Sequence, residues 1–138
     1  ESTLWKSSEY LKRVAGPGRV VPVEVGGDYT KAGWSQEIME FDRVLDALEV
    51  EDHDPIYLAQ YDLFASFPHL LNDIIVPDLV FASPAAPSVE ASGVDYKPPA
   101  NKDGYIMNAW LGPGGTVSPP HTDPYYNCYS EYFLDGTY

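Results

Sequence analysis

The chain has 138 residues, of which 44% are hydrophobic and 21% are charged, a composition typical of one globular domain rather than of a disordered segment. Its 21 acidic and 8 basic side chains give a formal net charge of -13. This balance argues against a nucleic acid as the partner, because phosphate binding requires clustered lysine and arginine, and it favours a basic peptide or protein. The single cysteine, Cys128, excludes an internal disulfide and fits a reducing compartment. No apolar run approaches the ~20 residues of a membrane helix.

Two elements are predicted before residue 30. The segment from Ser8 to Val14 predicts a short helix, which ends at Gly16-Pro17-Gly18 because glycine and proline stop helices. The β-branched run from Val20 to Val25 predicts a strand. Its Pro22 favours a position at the edge of a sheet, where the missing N–H is not needed.

The longest helix is predicted from Ser35 to Leu48. Apolar side chains recur there with the spacing of an amphipathic helix, at Ile38, Phe41, Leu45 and Leu48. Ser35 has the residue type of an N-cap, and Glu37 places an acid in the first turn, where the helix dipole favours it.

A strand, short helices and a long loop are predicted in the middle of the chain. The pattern predicts a strand over Ile56 to Gln60, one or two short helices over Phe64 to Ile75 with a break at Pro68, and a strand over Asp78 to Phe81. From Ala82 to Gly104, prolines stand among Ala, Ser and Gly without periodicity, which indicates a long surface loop.

The remainder of the chain is predicted to be mainly β. A strand from Ile106 to Leu111 leads into the turn Gly112-Pro113-Gly114-Gly115. An aromatic-rich strand is predicted from Tyr126 to Phe133, followed by the hairpin signal Asp135-Gly136. The fold class expected from these elements is mainly β with a helical N-terminal section (α+β), of the sandwich or jelly-roll kind.

The sharpest chemical feature is the sequence His121-Thr122-Asp123. On an extended backbone, residues i and i+2 face the same side, so this spacing lets one imidazole and one carboxylate bind one metal ion. Two histidines and one carboxylate on one face of an octahedron leave three positions open, which is the arrangement of non-haem Fe(II) oxygenases. The alternative is a capping aspartate beside a surface histidine, since this short pattern also occurs by chance.

The surrounding motifs resemble those of a known family. Asn108-Ala109-Trp110, Gly112-Pro113, the segment from Gly115 to Pro119, and His121 to Pro124 followed by Asn127 are together similar to the core of a JmjC-domain oxygenase. The resemblance is closest to the arginyl-hydroxylase subfamily, also described as lysine-demethylase-eight-like. It continues upstream, in the order of that subfamily, through Val14–Gly16, Val21–Gly26, Trp34–Gln36, Tyr57–Gln60, Leu63-Phe64, Asp73-Ile74 and Pro77-Asp78.

The resemblance implies an incomplete double-stranded β-helix (jelly roll, cupin-like) that binds Fe(II), with 2-oxoglutarate as cosubstrate. It implies that His121 and Asp123 are metal ligands. It assigns substrate binding to Glu24 and Trp34, and an acid and an indole suit a guanidinium group. The positions implied at the cosubstrate or its pocket are Tyr57, Trp110, Ser118 and Asn127.

The same resemblance predicts the organisation of the chain. Residues 1–81 are expected to be the N-terminal helix and strand section of the catalytic domain, 82–104 a Pro/Ala/Ser-rich loop, and 105–138 the start of the β-helix core. The second histidine ligand of the family lies on a later strand, so this chain is expected to hold a truncated domain. Tyr61 stands where the subfamily usually has histidine, and Thr137 where it has a lysine that pairs with 2-oxoglutarate.

Different function classes stay open at this point. One is a hydroxylase or demethylase of arginyl or methyl-lysyl side chains, located in the nucleus or cytoplasm and acting on a basic protein or peptide. Another is an inactive remnant that binds basic peptides through Glu24 and Trp34 without catalysis. A third is a cupin-like domain that binds another divalent metal, which leaves those two residues without a role. The purely structural alternatives are core packing for Trp110 and Tyr57, and capping or strand-edge roles for Ser118 and Asn127.

Overall fold

The computed structural model describes residues 3–26, 32–50, 55–82, 99–114, 116, 120, 121, 123 and 125–131. The chain divides into two compact units. The first comprises Glu1–Ile74, Asn108–Ser118 and Tyr132–Tyr138, and the second comprises Ile75–Met107 and Pro119–Glu131.

An antiparallel sheet forms the framework of the first unit, with four strands among the described residues. They are β1 (Val20–Val25), β2 (Ser35–Glu40), β3 (Ile56–Tyr61) and β4 (Ala109–Leu111), in the order β2-β1-β3-β4. β1 pairs with β2 along its whole length, whereas its pairing with β3 involves Glu24 and Val25. The ladder between β3 and β4 contains an irregularity, at which Gln60 adopts a positive φ of 47°.

One face of this sheet carries the hydrophobic core. Val21 and Val23 on β1 and Leu58 on β3 are almost fully buried, because alternate residues of a strand point to the same face. Burial of an aliphatic side chain of this size contributes about 1.5–3 kcal/mol. The other apolar core residues are Leu11, Phe41, Val44, Leu45, Leu48, Leu63, Phe64, Phe67 and Leu70.

Short helices and the residues that connect them supply these other core side chains. They are α1 (Ser8–Ala15), α2 (Phe41–Leu48) and α3 (Leu63–Ser66), together with 3-10 segments at Thr3–Lys6 and Pro68–Asp73. α1 begins after Ser7, whose hydroxyl accepts a hydrogen bond from the backbone N–H of Tyr10, and it ends at Gly16, which has a φ of 79°. No helix within the described ranges is long and apolar enough to cross a membrane.

Asp73 ties the two ends of this helical layer together. Its Oδ2 accepts hydrogen bonds from Trp5 Nε1 at 2.9 Å and from the Tyr10 hydroxyl at 2.8 Å. The bond to Asp73 raises the pKa of Tyr10, because an ionised phenol cannot donate and would face a carboxylate. Asp73 of the Asp73-Ile74 motif therefore has a structural role, because it links the helical segments of this layer.

The helix expected from Ser35 to Leu48 is wrong in its first half. Residues Ser35–Glu40 form β2, and Ile38, expected on the buried helix face, pairs with Pro22 and is 70% exposed. Ser35 is therefore no N-cap and Glu37 lies in no helical turn; the N-cap is Glu40, which makes no side-chain capping bond. Pairing with β1 satisfies the backbone of this segment, and tertiary pairing overrides a weak local pattern.

Pro22 does not lie on an edge strand, so that expectation is also wrong. β1 lies between β2 and β3. Pro22 is accommodated there because the described pairing with β3 is confined to Glu24 and Val25, beyond the position of Pro22.

Other elements follow the sequence more closely. The helix at Ser8, the strands at Val20 and Ile56, and the short helices broken at Pro68 are confirmed. Asp78–Phe81 is a 3-10 helix rather than a strand, because Pro77-Asp78 starts a turn in which Val80 N–H bonds to the Pro77 carbonyl at 2.9 Å.

The predictions for the β-rich remainder hold only in part. The strand expected from Ile106 is confirmed only over Ala109–Leu111. Residues 126–131 of the last predicted strand have no strand pairing, and Tyr132, Phe133 and the Asp135-Gly136 turn lie outside the described residues. Within the predicted long loop, residues 99–104 contain neither helix nor strand, and 83–98 are likewise outside the described ranges.

The second unit is held by turns and an aromatic contact. The side chain of Asn101 bonds to Gly104 N–H at 2.8 Å and to the Tyr105 carbonyl at 2.7 Å. The rings of Phe81 and Tyr105 meet edge to face with centroids 5.7 Å apart. Taken with the sheet of the first unit, these features agree with a sheet-based fold that includes short helices, whereas the closed double-stranded β-helix stays a prediction.

Candidate active site

His121 and Asp123 lie side by side in the second unit. Nε2 of His121 is 3.6 Å from Oδ1 of Asp123, and both side chains reach solvent. Their backbone belongs to no helix or regular strand, but it brings the two side chains together as the i, i+2 spacing predicts.

Asn127 contacts the same carboxylate. Its Nδ2 donates a hydrogen bond to Oδ2 of Asp123, in a segment that bends at Tyr125. One oxygen of Asp123 therefore faces the imidazole while the other is held by an amide. The Asn127 amide thus restrains the carboxylate at Oδ2, whereas Oδ1, on the side of His121, is open to a metal ion.

This donor set fits part of a metal site. Bonds of about 2.1 Å to nitrogen and oxygen place adjacent ligand atoms about 3 Å apart when they are at right angles. The 3.6 Å between His121 and Asp123 is thus within a small side-chain adjustment of a shared ion. Among the described residues, no group of three His, Cys, Asp or Glu side chains is placed to hold a metal ion. The pair could supply two ligands of a metal ion, and a third would then come from outside those residues.

A second group of predicted site residues lies on the sheet face opposite the core of the first unit. Glu24 on β1 is the direct cross-strand partner of Tyr57 on β3. Leu111 is paired with the buried Leu58, so its neighbour Trp110 projects from the opposite face, where it is 49% exposed. The strand register therefore places Glu24, Tyr57 and Trp110 on one face.

Trp34 joins this group through Glu24. Its indole N–H donates a hydrogen bond of 3.3 Å to Oε2 of Glu24, and both side chains are half-buried. The hairpin between β1 and β2 sets this contact, since Val25 pairs with Ser35 and the chain passes closely at Gly26. An acid and an aromatic face are thus held within reach of one bound cation.

An open groove of about 210 Å³ lies beside Glu24. This volume is below the roughly 300 Å³ of the smallest small-molecule pockets. Its lining residues are Pro22, Val23, Glu24, Gln36, Glu37, Ile38 and Ala59. The three from β2 were missed by the sequence prediction because that segment was assigned to a helix.

Gly112 is a further residue that the sequence analysis did not connect with the site. A Cβ at this position would lie 2.6 Å from Cδ2 of Tyr57 and 2.9 Å from Oγ1 of Thr116. The Tyr57 ring therefore packs directly against the Gly112 backbone. The sequence shows that Gly112 precedes a proline in a turn. It does not show that Tyr57 approaches this glycine closely, because Tyr57 is distant in sequence.

Over most of its length the chain is similar to curated proteins. It is 40% identical over 122 residues, 88% of the chain, to Lysine-specific demethylase 8 of Xenopus tropicalis. It is 37% identical over 128 residues, 91% of the chain, to Lysine-specific demethylase JMJ30 of Arabidopsis thaliana. It is 36% identical over 135 residues, 94% of the chain, to Jumonji C domain-containing protein 5 of Drosophila melanogaster. The chain belongs to the JmjC-domain family.

These relatives confirm the JmjC resemblance found in the motifs. The chain spans 26%, 24% and 30% of the length of the Arabidopsis, Xenopus and Drosophila proteins. No protein-family model matches the chain.

The predicted JmjC site residues form two groups. His121, Asp123 and Asn127 are in contact within the second unit, and Glu24, Trp34, Tyr57 and Trp110 share one region of the first. Ser118 lies outside the described residues. The roles assigned to all of these side chains stay predictions.

Proposed function

We propose that this JmjC-domain protein is an Fe(II)- and 2-oxoglutarate-dependent oxygenase that hydroxylates or demethylates arginyl or methyl-lysyl side chains of a protein substrate. The observation that carries the proposal is the adjacency of His121 Nε2 and Asp123 Oδ1, at 3.6 Å, within the H-x-D motif. The Xenopus and Arabidopsis relatives are both named lysine-specific demethylases, which supports this reaction class.

His121 and Asp123 are the residues that would hold the metal. The imidazole and the carboxylate match the ligand types of a 2-His-1-carboxylate site, to which the resemblance adds a histidine from a later strand. Bound Fe(II) with 2-oxoglutarate supplies the oxidation of a C–H bond. The protein would contribute the orientation of its ligands.

The cosubstrate is assigned to hydroxyl and amide donors. Tyr57, Ser118 and Asn127 have the groups that bind a carboxylate or keto oxygen, and Trp110 offers an apolar wall. Packing of Tyr57 against the Gly112 backbone restrains the ring that carries this hydroxyl. A preorganised donor is worth more than a mobile one, because its orientation is not lost as entropy on binding.

The substrate side chain is assigned to Glu24 and Trp34. One oxygen of the Glu24 carboxylate accepts the indole N–H of Trp34, which leaves the other for a guanidinium or methylammonium group. Such a cation can also lie over the indole face. The net charge of -13 favours a basic protein partner rather than nucleic acid, and a nuclear or cytoplasmic location is proposed with it.

The test of this function is a domain replacement. The matched segment of Xenopus Lysine-specific demethylase 8 is exchanged for this chain, and succinate release is measured with Fe(II), ascorbate and peptides containing arginine or methyl-lysine. We expect peptide-dependent succinate that is lost in His121→Ala and Asp123→Ala. Mass spectrometry of the peptide then separates hydroxylation (+16 Da) from demethylation (-14 Da).

The runner-up is a JmjC remnant that binds basic peptides without catalysis. It is favoured by one observation, the contact of the Trp34 indole N–H with Oε2 of Glu24, because an acid beside an aromatic face can bind a cation without any metal. It predicts that the same exchanged protein binds the peptide, loses that binding in Glu24→Gln, and releases no succinate above the His121→Ala level. That combination would contradict the oxygenase proposal.

A further inference from the structure

We infer that Asn127 is a positioning residue for the metal-binding carboxylate of Asp123. The inference rests on the proposed function, and it adds a role to a side chain that the resemblance connects only with the cosubstrate. In this role Asn127 acts on the metal site through Asp123 and is needed even when 2-oxoglutarate is absent.

The geometry separates the two oxygens of Asp123. Oδ2 accepts the amide N–H of Asn127, whereas Oδ1 lies 3.6 Å from Nε2 of His121. A hydrogen-bonded Oδ2 leaves Oδ1 as the oxygen directed to an ion shared with the imidazole. Asp123 is thereby set up as a ligand through one oxygen rather than two.

Such a constraint is needed because the carboxylate is otherwise free to turn. The side chain of Asp123 is 43% exposed, and rotation about its last side-chain torsion is broad and roughly two-fold. Water would compete for both oxygens in either orientation. An amide is a suitable restraint, because it donates a hydrogen bond without neutralising the negative charge that the metal requires.

The backbone between the two residues makes this contact local. The chain bends at Tyr125, which brings position i+4 back to the carboxylate at position i. His121, Asp123 and Asn127 all belong to the second unit, so the arrangement needs no residue of the first.

Contact with the cosubstrate is compatible with this role. The Asn127 amide has two N–H donors and one carbonyl acceptor, and the bond to Asp123 uses one donor. The two roles nevertheless predict different behaviour. A positioning residue affects metal affinity without 2-oxoglutarate, whereas a residue that contacts only the cosubstrate does not.

The first measurement requires no metal. Side-chain amide signals of Asn127 are recorded by ¹⁵N-edited NMR in the 138-residue chain and in Asp123→Ala. We expect an Asn127 Hδ2 signal shifted downfield and slowed in solvent exchange, both effects being lost in Asp123→Ala. An Asn127 amide that is indifferent to Asp123→Ala would overturn the inference.

The second measurement is the Mn(II) affinity of the exchanged Xenopus protein that carries this chain, determined by water-proton relaxation in the absence of 2-oxoglutarate. We expect Asn127→Ala to weaken Mn(II) by about 10- to 100-fold, as loss of an outer-sphere hydrogen bond usually does. Asn72→Ala, at another exposed asparagine, is the matched control and should leave the affinity unchanged.

These outcomes distinguish the positioning role of Asn127 from the proposed metal site on which that role depends. Equal Mn(II) affinity of the exchanged protein with and without Asn127→Ala overturns the positioning role alone, also if 2-oxoglutarate binding falls. Absence of Mn(II) binding by the exchanged protein without either substitution overturns the positioning role together with the proposed metal site.

Discussion

At the scale of single residues, the site depends on short contacts that one added atom can disturb. The clearest is the packing of the Tyr57 ring against the backbone of Gly112. A methyl group at position 112 would come within 2.6 Å of that ring, closer than carbon atoms in contact can lie. Tyr57 or the turn must therefore move if position 112 acquires a side chain.

We predict that Gly112→Ala lowers the free energy of unfolding by about 1–3 kcal/mol, the usual cost of overpacking. Gly114→Ala is the matched control in the same turn, because a Cβ there meets no atom within 4 Å. It should change stability by no more than about 0.5 kcal/mol. Urea denaturation measures both, and equal effects of the two substitutions would show that Tyr57 does not pack on Gly112.

At the scale of elements, the sequence predicted local features better than pairings. The helix at Ser8 and the helix break at Pro68 follow from capping and proline chemistry that acts within a few residues. The His121 and Asp123 adjacency follows from a two-residue spacing. In contrast, the β2 strand and the contact of Gly112 with Tyr57 depend on partners distant in sequence.

The segment from Ser35 to Leu48 shows why the boundary between β2 and α2 was not predicted from the sequence. Phe41, Val44, Leu45 and Leu48 alone form the buried face of α2, and Ile38 continues their spacing without sharing their environment. β2 itself has no alternating burial pattern, since most of its side chains are exposed. Nothing in its own six residues therefore indicated a strand.

We predict that Ile38→Ala changes the free energy of unfolding by less than about 0.5 kcal/mol, since the side chain is 70% exposed. Leu45→Ala, a fully buried position on α2, should cost about 2–5 kcal/mol. Chemical denaturation monitored by circular dichroism compares them. A large cost at Ile38 would instead support a helix that extends back to Ser35.

At the scale of the whole molecule, the chain combines membership of the JmjC-domain family with a strongly acidic composition, a net charge of -13. The chain is 36% to 40% identical to its JmjC relatives. The proposed substrate, a cationic side chain, is supported by the acidity of the chain, the Glu24 and Trp34 pair and the groove on β1 and β2. The proposed oxygenase function requires that His121 and Asp123 bind a divalent metal.

This requirement is tested most directly by paramagnetic mapping of Mn(II) by NMR on the exchanged Xenopus protein that carries this chain. Mn(II) accepts imidazole and carboxylate ligands and is stable in air, so it can stand in for Fe(II). We predict that the signals of His121 and Asp123 broaden first, that His121→Ala abolishes this broadening, and that His69→Ala, at an exposed histidine of the Pro68–Asp73 segment, leaves it unchanged. Broadening centred on other residues, or unaltered by His121→Ala, would contradict the account.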